Sequence, residues 1–274
     1  MEHRGCVESG HTRAEIGRPR QAHYNGAFRG GRPCGYPVSE QSPFEFDRAI
    51  HWELSPQKEA MGAWVQKRRL ADAMRQVIDG LVQSNAPEAE LRAAADALEH
   101  YADRLASHPK LRRYEGYAES ANAGDVGAFF DQSPMIGLAN PLAPPIRIER
   151  TGPRSAVGRA LFGAAYEGPP GSVHGGFVAA AFDEVLGYVQ SLSGAPGFTG
   201  TLTIKYRSPT PLHEELEIRC QLDGQERRKT FASGQVVSGE TLCAEAEAIF
   251  ISVKPEAFEK LLEARREMEA RRKS

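Results

Sequence analysis

The apolar positions of this chain follow two different periods, and the change between them divides it. Up to residue 54 no period is visible. Stretches such as GAFRGGRPCGYPVSEQSP are rich in Gly, Arg, Pro and Ser, the composition of a loosely attached or unfolded segment. From Ser55, an N-cap followed by Pro56 at the first helical position, Ala60, Trp64, Leu70, Met74, Val77, Ile78 and Leu81 recur at helical spacing. A second helix begins near Pro87, sets Leu91, Ala94, Ala95, Leu98, Tyr101 and Leu105 on one stripe, and ends before Pro109. Residues 55–122 are therefore expected to form a helical hairpin extension, either an amphipathic cover for apolar surface or a lid or partner-docking element.

From about Ala123 the period drops to two. Ile146 with Ile148, then AVGRALFGAAYE, TGTLTIKYR, ELEIRCQLDG, KTFASGQVVS and TLCAEAEAIFISV read as strands. Between them lies GSVHGGFVAAAFDEVLGY, residues 171–188, apolar on all sides and long enough for about four turns of buried helix. The last four strands are joined by short polar connections, among them LDGQERR and VVSGET, and are expected to lie side by side in succession as an antiparallel meander. Such a sheet, curled around one apolar helix, would bury that helix completely. The fold class is thus α+β, with a sheet-and-helix domain over residues 123–254 and a charged surface helix over 255–274.

Composition narrows the function classes. A chain of 274 residues with 41% hydrophobic and 26% charged content is of the soluble globular kind. Its formal net charge of -2 points to neither nucleic acid nor an anionic membrane as main partner. No apolar run reaches the roughly 18 residues of a membrane span and no secretory h-region is present, so a cytoplasmic protein is expected. Cys6, Cys34, Cys220 and Cys243 are scattered without a CxxC, which argues for reduced thiols and against a disulfide framework or a zinc site.

The chemistry concentrates in the apolar helix, which carries two adjacent acids. A carboxylate buried there must be paired, neutralised or kept for a reaction. His174, Gly175 and Gly176 stand at the helix entry, where free N–H groups and the positive end of the helix dipole can receive a developing oxyanion, and where glycines leave room for a carbonyl. Seven positions separate Gly176 from Asp183, which brings both to nearly the same azimuth roughly 10 Å apart along the axis; Glu184 is turned some 100° away, toward an edge or a salt-bridge partner. Ala180 and Gly187 extend that stripe of small residues, with room for a thin ligand.

GPPGSVHGGFVAAAFDEVLG, TGTLTIKYRSPTPL and TLCAEAEAIFISV together resemble the hotdog-fold acyl-CoA thioesterases of the 4-hydroxybenzoyl-CoA thioesterase superfamily, over about residues 131–254. The nearest likeness is to the phenylacetate-pathway and mitochondrial long-chain acyl-CoA thioesterases. The resemblance implies an antiparallel sheet wrapped around the helix, hydrolysis of acyl-CoA, and a homodimer or dimer of dimers with each active site between protomers. It implies no metal or other cofactor, coenzyme A entering only as part of the substrate. By the same resemblance Gly176 would polarise the thioester carbonyl, with Gly175 beside it, and His174 would orient that carbonyl. Asp183 would be general base or nucleophile, and Thr199, from the partner subunit, would orient the water or the acid. Where some relatives carry an Asn shortly before the HGG this chain has GPPG, with Asn140 a remote substitute but more readily a turn former. Lys205, Arg207, Arg227, Arg228 and Lys229 are candidate contacts for CoA phosphates, and His213 reads as a strand-entry residue. The alternatives are an enoyl-CoA hydratase of the same fold, whose motif is missing, and a non-catalytic acyl-CoA-binding or scaffold protein.

Overall fold

The computed structural model describes residues 62–109, 131–195 and 197–252, together with Lys260 and Ala264. The segment 1–54, the helix start at Ser55 and Pro56, and the tail lie outside the described residues, except that Lys260 and Ala264 are helical. Helix α1 (Ala63–Gln83) follows Gly62, whose positive φ of 56° suits a glycine, and helix α2 (Glu88–Ala106) starts after Pro87. The two helices are joined by residues 84–87 but do not lie side by side as a packed hairpin. Instead α1 rests on the domain: the Arg75 guanidinium donates to the carbonyl oxygens of Asn140 at 3.0 Å and Leu138 at 3.3 Å, and Arg68 pairs with the buried Asp131 at 2.8 Å. The backbone N–H of Ala165 donates to Asp79 of α1 at 3.4 Å.

Six strands form one sheet: β1 (Arg147–Gly152), β2 (Ser155–Leu161), β3 (Gly197–Tyr206), β4 (Glu215–Glu226), β5 (Lys229–Ser238) and β6 (Thr241–Ser252). Their order is β1-β2-β4-β5-β6-β3, every neighbouring pair antiparallel. Helix α3 (Gly175–Ser191), between β2 and β3 in the chain, begins four residues later than the apolar run and packs against β2 through β6. Val178, Phe182, Val185 and Val189 are fully buried along it and hold the helix against one face of the sheet, as the α+β hotdog reading expects. Gly158 on β2 lets the helix close in, since a Cβ there would stand 2.6 Å from Val185 Cγ2. AVGRALFGAAYE ends as a strand at Leu161, and Ala164–Tyr166 is a turn of 3-10 helix. No described helix is long and apolar enough to cross a membrane.

One sequence expectation fails here: β4, β5 and β6 are meander neighbours, but β3 pairs with β6 and not with β4. The connection over residues 207–214 contains Pro209 and Pro211 and does not fold into a hairpin turn. It crosses the helix entry. Val173 N–H donates to Thr210 O at 2.8 Å, Leu212 N–H to Gly171 O at 3.2 Å, and His213 N–H to Phe162 O at 2.8 Å, while Arg207 and Ser208 both donate to Cys243 O. His213, at a positive φ of 59°, makes the last bend into β4.

Candidate active site

The two acids of α3 meet opposite surroundings, and the roles of buried and exposed are the reverse of what the apolar helix suggests. Asp183 is exposed, whereas Glu184 is only partly accessible. Burial, and secondarily the neighbouring Asp183 charge, pushes the Glu184 carboxyl up to about 7, because a charged carboxylate is poorly solvated there. The expected salt-bridge partner of Glu184 is missing among the described residues.

Asp183 is held by Thr199, whose hydroxyl donates to Asp183 Oδ1 at 2.7 Å. Both belong to one chain, which overturns the expectation that Thr199 comes from the partner subunit. A β-bulge makes the contact. The register of β3 shifts between Thr199 and Thr201, so Thr199 joins the side of the strand on which Leu202 and Ile204 pack toward the helix. Without that shift, strict alternation would put Thr199 on the far side.

The helix entry is fixed at its first peptide unit. His174 is the N-cap residue, and its Nδ1 accepts a hydrogen bond from Gly176 N–H at 3.0 Å. The carbonyl oxygen of the same peptide, that of Gly175, accepts from the Tyr206 hydroxyl at 2.8 Å. Side chains at either glycine would crowd these partners: a Cβ at Gly175 would lie 3.2 Å from the Tyr206 hydroxyl, and one at Gly176 3.1 Å from His174 Nδ1. Tyr206 was not among the expected site residues, although the alternation Leu202, Ile204, Tyr206 in TLTIKYR already turns it toward the helix. Between the entry and Asp183, Ala180 is partly buried against the core, whereas at Gly187, beyond Asp183, a Cβ would meet nothing within 4 Å, so the stripe opens to free space only past the acid.

The candidate cations do not converge. Arg207 is bound to Glu245 at 2.7 Å, and Lys205 sits opposite that same Glu245 in the β3–β6 register, near the end of β3 that Tyr206 closes. Arg227, Arg228 and Lys229 form the β4–β5 turn at the opposite end of the sheet, where Arg228 donates to Ser252 O at 2.9 Å. Asn140 makes a turn: its Oδ1 accepts from Leu142 N–H at 3.0 Å and its Nδ2 donates to Gln132 O at 3.1 Å, so it is no part of the helix entry.

Known proteins share this arrangement of sequence and fold. Residues 170–245 match the family model of the thioesterase superfamily. The acyl-coenzyme A thioesterase THEM4 of Bos taurus is 40% identical over 92 residues, which are 33% of this chain and 38% of that protein. The acyl-coenzyme A thioesterase THEM5 of Homo sapiens is 31% identical over 96 residues, 34% of this chain and 39% of that protein. The chain therefore matches about two fifths of the length of these curated relatives. The crystal structure of the thioesterase superfamily protein RHA08564 superposes with a TM-score of 0.60 at 29% identity, covering 72% of this chain and 97% of the other.

Proposed function

We infer that this chain, whose sheet-wrapped helix is a hotdog domain of the thioesterase superfamily, hydrolyses acyl-CoA thioesters to a free acid and CoA. The observation that carries the reading is the pairing on one helix of a glycine entry, held open by His174 and Tyr206, with a solvent-facing Asp183 already oriented by Thr199. In this reading the thioester carbonyl oxygen takes the place of His174 Nδ1 at the Gly176 N–H, which then stabilises the oxyanion, while the freed imidazole stays beside the carbonyl and orients it. Gly175 and Ala180 leave the acyl group its path. Asp183 draws the proton from a water that attacks the carbonyl carbon, or attacks it directly and is freed by water afterwards. The sulfur leaves as CoA thiol after taking up a proton. The chemistry uses side chains and backbone of the chain alone, and the acyl-CoA is the one small-molecule partner. Of the cations, Lys205 is the better candidate for a CoA phosphate, since Arg207 is already engaged by Glu245.

The same geometry favours a homodimer. Gly176 N–H and Asp183 of one helix lie roughly 10 Å apart along its axis, whereas direct attack needs contact at about 3 Å. Two helices side by side and antiparallel about a two-fold axis would bring the entry of one next to the Asp183–Thr199 pair of the other, giving two equivalent sites per dimer. The free, buried thiols of Cys220 and Cys243 suit a reducing compartment, and we place the protein in the cytoplasm on that ground.

Release of free thiol from a panel of short, long and aromatic acyl-CoAs, followed with a thiol reagent, tests the activity. Turnover of at least one class is expected. A folded protein that binds acyl-CoA but releases no thiol from any member of the panel would be a binding protein instead.

A further inference from the structure

Helix α2 has no described partner, yet it is built to have one. All of its 19 residues are exposed, and Leu91, Leu98, Tyr101 and Leu105 leave between 40% and 48% of their surface in water. Leu91, Leu98 and Leu105 repeat every seven residues, with Ala94 and Tyr101 in the intermediate positions, which is the narrow seam of a helix that packs on another helix. An isolated helix of this length is marginal in water, so a stripe of this kind needs cover.

Helix α1 offers a matching surface. It faces the domain through Arg68, Ala71, Arg75 and Asp79; at 100° per residue Val77, Leu81 and Met74 fall on a different face, with Ile78 at its edge next to Ala71, and these four are between 38% and 59% exposed. The charges are complementary: with Arg68 and Arg75 turned to the domain, Lys67 and Arg69 are the basic residues α1 keeps away from it, while α2 carries two basic and five acidic residues, net -3. Pairing α2 with another α2 would bring acidic flanks together. Its own α1 is not beside it, and the chain between them leaves α1 and enters α2 through extended residues, Ser84 at ψ 138° and Pro87 at ψ 152°.

We propose that α2 docks on the exposed apolar face of α1 in a second copy of this chain, so that two copies exchange these arms reciprocally. The contact is isologous, closes on itself in a dimer, and is independent of what the α3 site does. It assigns the helical extension to holding two copies together rather than to covering the chain's own domain.

Two differently tagged full-length proteins test it, one with Ile78→Cys and the other with Leu98→Cys, both with Cys6→Ser and Cys34→Ser so that Cys220 and Cys243, which are buried, are the remaining native thiols. On mild oxidation of the mixture, a disulfide-linked heterodimer carrying both tags should be the main product. No heterodimer, a Leu98→Cys protein that links chiefly to itself, or a doubly substituted chain that closes within one molecule would each overturn the proposal. In parallel, Leu91→Glu with Leu105→Glu added to the Leu98→Cys protein should lower the yield of the two-tag heterodimer at least tenfold under the same oxidation. Both side chains are exposed in the single chain, so the substitutions leave its core intact, and an unchanged yield would also count against the exchange.

Discussion

Asp183 and Glu184 are neighbours in sequence and about 100° apart around the helix, and that rotation separates their physics. Asp183, exposed and hydrogen-bonded by Thr199, is the acid in position to meet a substrate. Asp183→Asn keeps the shape and should lower kcat at least ~100-fold, the usual cost of losing a general base, while Glu184→Gln should cost far less. Equal losses in steady-state thiol release would mean that the azimuth does not choose the acid. Glu184 instead governs stability. Its folded carboxyl titrates near 7, above the unfolded value of about 4.3, so the native state holds the proton more tightly than the unfolded chain. Stability from this group is therefore fully present below the unfolded pKa and is lost as pH rises through about 7, by up to roughly 4 kcal/mol. Glu184→Gln should abolish that loss, so that melting temperatures between pH 5 and 8 fall less steeply than in the unsubstituted protein; parallel slopes would contradict the assignment. The sequence revealed which acid shares the azimuth of Gly176. It could not reveal which is desolvated, because that depends on which face of the helix the sheet leaves open.

At the scale of elements, the apolar helix and the strands were readable because period and length agree at each. The β4–β5 and β5–β6 hairpins were readable from their short polar turns. The place of β3 was not, since a chain of eight residues with two prolines can cross over the helix entry as well as turn, and backbone bonds to Gly171 and Phe162 decide which it does. The bulge that aims Thr199 at Asp183 has one mark in the sequence, the isolated Gly200 inside the strand, which signals a bulge but not which side chain it turns inward. Helix and sheet fit together at Gly158, and this gives a stability prediction. Gly158→Val should destabilise the fold by about 1–3 kcal/mol in urea unfolding, since its Cβ alone already meets Val185. Adding Val185→Ala should recover part of that loss. Simple additivity of the two losses would show that they are not in contact.

For the whole molecule, the Thr199–Asp183 bond within one chain changes which defects can complement one another. Mixing Asp183→Ala with Thr199→Ala protein should restore nothing, because in the proposed site both residues come from the same chain. Mixing Gly176→Val with Asp183→Ala should restore activity to about a quarter of the unsubstituted level after random subunit exchange: half of the dimers are mixed, and one of their two sites inherits neither defect. Verified exchange without recovery in the second mixture would place the helix entry and the acid of each site on one chain. The order of strands also has a bearing on how the protein is made. Among the described strands β3 pairs with β6 alone, so the helix and β3 leave the ribosome well before the strand that completes the sheet around them. Leu202 and Ile204 can meet the helix early, but the backbone of β3 has no strand to pair with until residues 241–252 have emerged. The sheet closes late, through a contact distant in sequence, and over that interval the edge of β3 is open to pairing with other chains.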